Sequence, residues 1–429
     1  MRRRTVAVVA MLSVLFLACG LVFAGGTKEN TAPGAAATGG PIVLKVIAFD
    51  PAYTDVNKLL VARYHELQPN VQVNFVEYDQ GQYFPILATQ MQGGEPPDLY
   101  ATFGRTTSNL AQLVAKGDAL PLNGDFDAGK YPKWLLDFFT LDGKYYAIPG
   151  LSEDGIGVYY NTAVFAKYNL SPPTSQADFD AICATLMQAN VTPIAMPGKS
   201  GFDSYIAFDY FIQAYAADWN AHFPFGGSKF SDPAFIAATK LFVAWMDKGY
   251  FGSDFKALDS DSAIIQLIQG KAAMYFNGEW IHNSMQGSPN ISVFYLKRPD
   301  GKQAGVTSPR QVLGLTVYPK SKHRDAAVQF ARWYAGTEAQ QLIEDNNGGV
   351  ISSAEAAQGI HTTDPILQAF STRDHSDLDF ASTIGFIVKP GVDSVAAGSD
   401  LTQKLLYKQI SVEDLAKQSD DLVDYSLAH

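Results

Sequence analysis

From Ile42 to Phe49 the chain runs almost unbroken through apolar residues over the length of one buried strand. Asp55 to Leu67 then carries apolar positions at Val56, Leu59, Leu60, Tyr64 and Leu67, the spacing of one helix face, and Val71, Val73 and Phe75 alternate. A period that moves from 2 to about 3.6 and back reads as a βαβ unit. Gln82 to Gln92 and Thr106 to Lys116 read as further helices, the second stopped by Gly117, with a short strand from Asp98 to Phe103 between them. These elements make an open α/β lobe with a mostly parallel sheet.

A second start of the same kind follows the loop Asp142-Gly143-Lys144-Tyr145-Tyr146-Ala147-Ile148-Pro149. Gly155 to Tyr160 is a strand candidate, Asp178 to Gln188 a helix and Val191 to Met196 another strand. The clearest helix is Pro233 to Lys248, capped by Ser231 or Asp232, with Pro233 where its missing N–H does no harm and Gly249 at its end. The pattern therefore describes two α/β halves joined near Pro149, without a tandem repeat.

The first residues bear on compartment. Arg2, Arg3 and Arg4 precede an apolar run from Val6 to about Ala24, and Val22-Phe23-Ala24 gives way to the polar Gly25-Gly26-Thr27-Lys28, the pattern of a secretory signal peptide cleaved after Ala24. The rival reading cleaves before Cys19, because Leu15-Phe16-Leu17-Ala18-Cys19 is a loose lipobox with Phe16 where Leu is usual, and it makes Cys19 a lipid anchor. A permanent membrane anchor is the third reading, since the run approaches spanning length. Residues 25–40 are mostly Gly, Ala, Thr and Pro, cannot bury a core and read as a flexible leader.

The chain has 429 residues, so its mature part exceeds one ordinary core and divides into two lobes. A formal net charge of −11, from 43 acidic against 32 basic side chains without a basic run, argues against nucleic acid as a partner. Aromatic residues are 12% of the chain, 21 of them Tyr, which provides many side chains with an apolar face and a polar edge. Cys19 and Cys183 are the two cysteines, so loss of the signal leaves one thiol and no intramolecular disulfide; Cys183 falls in the apolar stripe of Phe179, Ile182 and Leu186 and reads as packing.

Catalytic signatures are weak. Gly198-Lys199-Ser200 resembles the end of a phosphate-binding loop, but Pro193 stands where the first glycine is required. Gly155-x-Gly157 lacks the third glycine of a dinucleotide fingerprint, there is neither G-x-S-x-G nor H-E-x-x-H, and the seven His have no ligand spacing. Glu153-Asp154 is no glycosidase pair by itself, because adjacent strand residues point to opposite faces. The reading is of a non-enzymatic protein without cofactor or metal.

Several stretches taken in order resemble the extracellular solute-binding proteins of bacterial ABC sugar importers, the family that includes maltose-binding protein. They are Gly94-Glu95-Pro96-Pro97-Asp98-Leu99, Asp142 to Pro149 leading to Val158-Tyr159-Tyr160-Asn161 and Pro172-Pro173-Thr174, Gly270-Lys271-Ala272-Ala273-Met274 with Asn277-Gly278-Glu279-Trp280, and Ala326-Ala327-Val328-Gln329-Phe330 with Thr337-Glu338-Ala339-Gln340. The resemblance implies an α/β, two-lobed periplasmic-binding-protein fold with hinge strands between lobes. Carried over, the N-terminal lobe takes 41–151 and 305–338, and the C-terminal lobe 152–304 and 339–429.

The same resemblance places the ligand between the lobes, in loops that follow strands. Those loops hold Asp50 and Tyr53, then Thr102, Phe103 and Arg105, then Glu153 and Asp154 at the first crossing, then Phe202, Asp203 and Tyr205, and last Glu279 with Trp280. Pyranose C–H faces stack on aromatic rings while hydroxyl edges match carboxylates and Arg. Tyr53, Phe103 and Tyr205 also fit a lobe core, Arg105 a surface ion pair, Tyr145 and Tyr146 hairpin packing, and Tyr159-Tyr160-Asn161 a structural hinge strand. The expected protein is an exported monomeric receptor, periplasmic or at the cell surface, that closes on a sugar or oligosaccharide and delivers it to the transmembrane subunits of an ABC permease. The alternatives are a receptor for glycerol phosphate, a polyamine or iron, and a secreted glycoside hydrolase. One Arg among several acids suits neutral polyols or cations better than phosphate.

Overall fold

The computed structural model describes residues 40–49, 54–78, 80–102, 108–131, 133–150, 156–223, 227–285, 287–304, 314–347, 364–371, 389, 392 and 394–425. The signal, Cys19 and nearly all of the leader lie outside these residues, as do Asp50, Tyr53, Phe103, Arg105, Glu153 and Asp154.

The opening βαβ pattern folds as read. Strands β1 (Ile42–Phe49) and β2 (Val71–Tyr78) pair in parallel from Ile42 opposite Val71 to Phe49 opposite Tyr78. Between them α1 (Thr54–Leu67) buries Val56, Leu60 and Tyr64, one residue per turn, against the sheet. After α2 (Gln80–Gln92), β3 (Leu99–Thr102) joins the other side of β1, again parallel. Helices α3 (Ser108–Lys116) and α4 (Lys133–Phe138) lead to a hairpin of β4 (Thr140–Leu141) and β5 (Lys144–Tyr145). Its tip, Asp142-Gly143, has φ of 50° and 70°, the left-handed pair that a tight hairpin needs. Tyr145 packs on Phe126 and Tyr146 is buried, so both serve the hairpin's packing.

The last strand of this part, β6 (Ile148–Pro149), carries the chain out of the sheet. The second sheet holds β7 (Ile156–Asn161), β8 (Thr192–Ile194), β9 (Ala272–Gly278) and β10 (Ile291–Phe294) in the order β10-β7-β9-β8. The chain then returns as β11 (Gly314–Val317), which slots between β3 and β6 to complete the order β2-β1-β3-β11-β6.

The α/β class and the two sheets match expectation, and in each sheet all strands but one run the same way. β11 runs against both β3 and β6, and β7 against both β9 and β10. The cause is the crossing. A chain that leaves by one end of a sheet and re-enters at that end must run the opposite way on return, so the returning strand is antiparallel to its neighbours.

Helix caps in the second half are mostly local in origin. Asn161 accepts the Val164 N–H to start α5 (Thr162–Lys167), Ser175 accepts the Asp178 N–H for α6 (Gln176–Gln188), and Ser200 accepts the Asp203 N–H for α7 (Gly201–Tyr215). After α8 (Ala217–His222), α9 (Pro233–Asp247) starts at Asp232, whose carboxylate accepts the Lys229 N–H instead of capping the helix, and Gly249 follows its end at φ 83°. Almost all of α7 is buried because it lies between β9, α9 and the helix Ser394–Leu406. A helix apolar on every side belongs inside.

Each sheet carries its own core. The first gathers Leu44, Val46, Leu60, Tyr100, Leu315 and Phe330. The second centres on Phe179 stacked on Trp245 with ring centroids 4.4 Å apart, walled by Phe211 and Phe242. Cys183 is buried there, and burial pushes its thiol well above the ordinary range, so it packs rather than reacts. α10 (Ser260–Ile268), α11 (Arg324–Tyr334) and α12 (Thr337–Asn347) complete the elements that bear on the site. Ala339 and Ile343 of α12 enter the first core, while Asn346 accepts a 3.1 Å hydrogen bond through its carbonyl from Asn283, just beyond the second sheet. Among the described residues no helix is long and apolar enough to cross a membrane.

Candidate ligand-binding site

Parallel pairing of β8 with β9 points their C-terminal ends the same way, and antiparallel pairing of β7 puts Ile156, its first residue, opposite Gly278, the last of β9. Open α/β sheets bind ligands at this kind of end. Two turns leave it. Beyond β8 the chain passes Met196-Pro197-Gly198 and enters α7 through Ser200, and beyond β9 it enters the 3-10 stretch Glu279–Met285.

Each turn contributes an aromatic ring. Phe202 from the first turn of α7 and Trp280 from the 3-10 stretch lie with centroids 6.3 Å apart and planes tilted by 46°. Both rings are partly exposed. The indole folds back over Gly278, where a methyl group would fall 1.9 Å from the indole Cζ3. The Gly278 peptide is held at both ends, its N–H by Asn277 Oδ1 at 2.8 Å and its carbonyl by the Tyr159 hydroxyl at 2.8 Å.

Asp203, the residue after Phe202, is only 7% exposed. Its Oδ1 accepts from Asn277 Nδ2 at 2.9 Å, and its Oδ2 accepts from the Ser200 hydroxyl at 2.8 Å and from the Ser260 hydroxyl. Asn277 Nδ2 also donates to the Tyr275 hydroxyl at 2.8 Å. Burial, with the Asp203 charge close by, pushes the Tyr275 hydroxyl well above its ordinary range; burial and Glu279 do the same to Tyr159. Both phenols stay neutral and act as hydrogen-bonding groups. Glu279 is buried, and its carbonyl lies 3.2 Å from Nδ1 of His282, whose pKa burial lowers.

Of the expected site residues, Phe202, Asp203, Glu279 and Trp280 come together at this end of the second sheet. Thr102 ends β3 opposite Gly314 and is buried at the end of the first sheet by which the chain leaves and returns. Tyr205 goes elsewhere: its ring is buried against the helix Ser394–Leu406, where a methyl group on Gly398 would come within 2.8 Å of it. It is core, because it projects from α7 towards that neighbouring helix. Asp50, Tyr53, Phe103, Arg105, Glu153 and Asp154 are outside the described residues.

Three participants escaped the sequence reading. Asn277 and Gly278 stand in a quoted motif, yet nothing local says that one ties down the peptide under which the other leaves room. Ser260 arrives from the first position of α10, 57 residues from Asp203. The Gly198-Lys199-Ser200 stretch is spent on packing and capping, with Gly198 pressed against Phe255. Gly157 is small because Val293 of β10 and Phe370 crowd it. Among the described residues no group of three or more His, Cys, Asp or Glu is placed to hold a metal ion.

A fold of two sheets joined by crossing strands agrees with comparison to known proteins. The profile of the bacterial extracellular solute-binding protein family matches residues 51–341, and the chain belongs to that family. An uncharacterised ABC transporter extracellular-binding protein of Pyrococcus horikoshii is 25% identical over 353 residues, 80% of each chain. A probable sugar-binding periplasmic protein of Rhizobium meliloti is 26% identical over 52% of this chain and 54% of its own. Among solved structures, a chitin oligosaccharide binding protein superposes with a TM-score of 0.71 at 21% identity, over 89% of this chain and 98% of that one. That likeness establishes the two-lobed fold. The protein is an extracellular solute-binding protein of the ABC transporter type, exported to reach its solute.

Proposed function

We propose that this receptor captures a neutral sugar or oligosaccharide between its lobes, closes over it, and hands it to the transmembrane subunits of an ABC permease without chemical change. The observation that carries the reading is the ring pair of Phe202 and Trp280, partly exposed where β8 and β9 end. Two tilted aromatic faces suit the C–H faces of pyranose rings. The sugar-binding relative of Rhizobium meliloti and the chitin oligosaccharide binding protein support the same ligand class. Lys199, the cation nearest in sequence to this turn, is paired with Asp259 at 3.5 Å, which leaves little here for a phosphate.

In this proposal the lobes are 41–151 with 305–338 and 152–304 with 339–429, α12 leaning on both. Asp50, Tyr53, Phe103 and Arg105 face the sugar from the first lobe and Glu153, Asp154, Phe202 and Trp280 from the second, with the buried Thr102 and Glu279 behind them. The protein acts as a monomer, free after cleavage behind Ala24 or anchored through a lipid on Cys19. The test is equilibrium dialysis against labelled oligosaccharides, followed by chromatography of the retained sugar. Saturable retention of intact sugar is expected; shortened products would instead indicate a glycoside hydrolase.

A further inference from the structure

We propose that Asp203 is a positioning residue that sets the angle of the Trp280 and Phe202 rings and does not itself touch the ligand. The inference rests on the sugar-site reading above. A carboxylate that recognises a sugar must offer an oxygen to incoming hydroxyls, but Asp203 is 7% exposed and both of its oxygens already accept hydrogen bonds. Its three donors come from three elements: Ser200 at the cap of α7, Ser260 at the start of α10 and Asn277 near the end of β9.

Two of these links lead to a ring, and Ser260 holds the carboxylate between them. Through Ser200 the carboxylate fixes the first turn of α7, which carries Phe202. Through Asn277 it reaches the Gly278 N–H, and Gly278 is the surface on which the indole lies. Asn277 carries both functions in one planar amide: Nδ2 faces Asp203 and Oδ1 faces Gly278. Replacing the carboxylate by an amide leaves one acceptor oxygen for three donors, so either Asn277 or the two serine hydroxyls lose their acceptor, and the cross-links that hold Gly278 and the first turn of α7 loosen.

The experiment is fluorine NMR of the full protein carrying 5-fluorotryptophan, with the Trp280 resonance assigned by Trp280→Phe. Asp203→Asn is expected to shift or broaden the Trp280 resonance while those of the other four tryptophans stay in place. Ser260→Ala, which removes one donor and leaves the carboxylate, is expected to do the same to a smaller extent and keeps the test decisive should Asp203→Asn fold poorly. A Trp280 resonance unmoved in Ser260→Ala and in any folded Asp203→Asn overturns the inference, and so does a general shift that includes Trp219 and Trp245, which would mark Asp203 as ordinary core.

Binding supplies the second readout, with raffinose, xylotriose, maltotriose, galactose and diacetylchitobiose as probes. For any probe that binds, Asp203→Asn weakens binding by about tenfold in the wild-type background and by less than about twofold beside Trp280→Ala. Equal losses in both backgrounds make Asp203 a direct contact and overturn the inference while the site reading stands. A shifted Trp280 resonance in a protein that holds none of the probes sinks the sugar reading and leaves the positioning role in place.

Discussion

Trp280 lies face down on Gly278: a methyl group on that glycine would fall 1.9 Å from Cζ3, 2.1 Å from Cη2 and 2.2 Å from Cε3 of the indole. The strand ends in glycine because the ring two residues later takes the place of a side chain. Gly278→Ala should therefore lift the indole without breaking β9, since Gly278 is not among the positive-φ glycines and alanine suits its backbone. Calorimetric titration should show sugar affinity down by about tenfold, worth about 1.4 kcal/mol, with the melting midpoint within a few degrees of wild type. Unchanged affinity would mean that the indole's resting place has no part in binding.

Removing the ring itself is the companion case. Trp280→Ala should cost affinity by about tenfold or more, since lost stacking contributes roughly 0.5 to 1.5 kcal/mol and lost apolar area adds to it. Partial exposure of Trp280 keeps the stability loss below the roughly 3 to 5 kcal/mol of a fully buried tryptophan. A collapsed denaturant midpoint with normal affinity would make Trp280 structural.

Tyr205 predicts the reverse. It is buried against Gly398, so Tyr205→Ala opens a cavity and should cost roughly 3 to 5 kcal/mol in a denaturant melt. Sugar affinity at a temperature where the variant remains folded should not change. A stable variant with weakened affinity would return Tyr205 to the ligand.

A pH effect follows from Glu344 on α12, which is 7% exposed, with Oε2 lacking a hydrogen-bond partner among the described residues. Burial, reinforced by the charges of Asp345 and Asp364, raises its pKa from 4.5 to about 7. The native state thus holds a proton that the unfolded chain has released, so stability falls as pH rises from about 4.5 to about 7 and stays reduced above it. Glu344→Gln should stabilise the protein on the order of 2 to 3 kcal/mol at pH 8 and little at pH 4.5. His282, whose pKa is lowered, contributes in the opposite direction as pH falls below its unfolded value, so the wild-type curve mixes both groups and the difference between wild type and variant isolates Glu344. Equal effects of the variant at both pH values would contradict the burial argument.

Closure is the dynamic expectation. With contacts from both lobes, the closed form is the one that satisfies them all, and hinging falls near Pro149 to Ser152 and at Gly314 to Val317, the exit and return segments. Small-angle scattering should give a smaller radius of gyration at saturating sugar. An unchanged profile with sugar bound would rule out closure as the mode of capture.

Much of the fold is legible in the sequence because it is written locally. Val56, Leu60 and Tyr64 show a helix face, and Asp142-Gly143 marks its hairpin. The one reversed strand of the first sheet is not legible, because the direction of β11 depends on where the chain comes back, which alternation in Gly314–Val317 cannot reveal. The site is legible in part. Phe202 and Trp280 stand out as aromatics after strands, but Asp203 meets Ser260 and Asn277 across 57 and 74 residues, and no local spacing carries that. Tyr205 was uncertain for a related reason: α7 is apolar on nearly every side, so no polar face says which way it points.

The claim that the protein is a sugar receptor is tested most directly by a thermal-shift screen against mono- and oligosaccharides. A ligand held by the folded state alone stabilises by mass action, by about 2.7 kcal/mol at a hundred times its dissociation constant. The account predicts that at least one neutral sugar raises the melting temperature by several degrees, that the rise grows with the logarithm of its concentration, and that the sugar is recovered intact. A flat response across the whole panel, beside a clear shift with a phosphate ester, a polyamine or ferric ion, would contradict it.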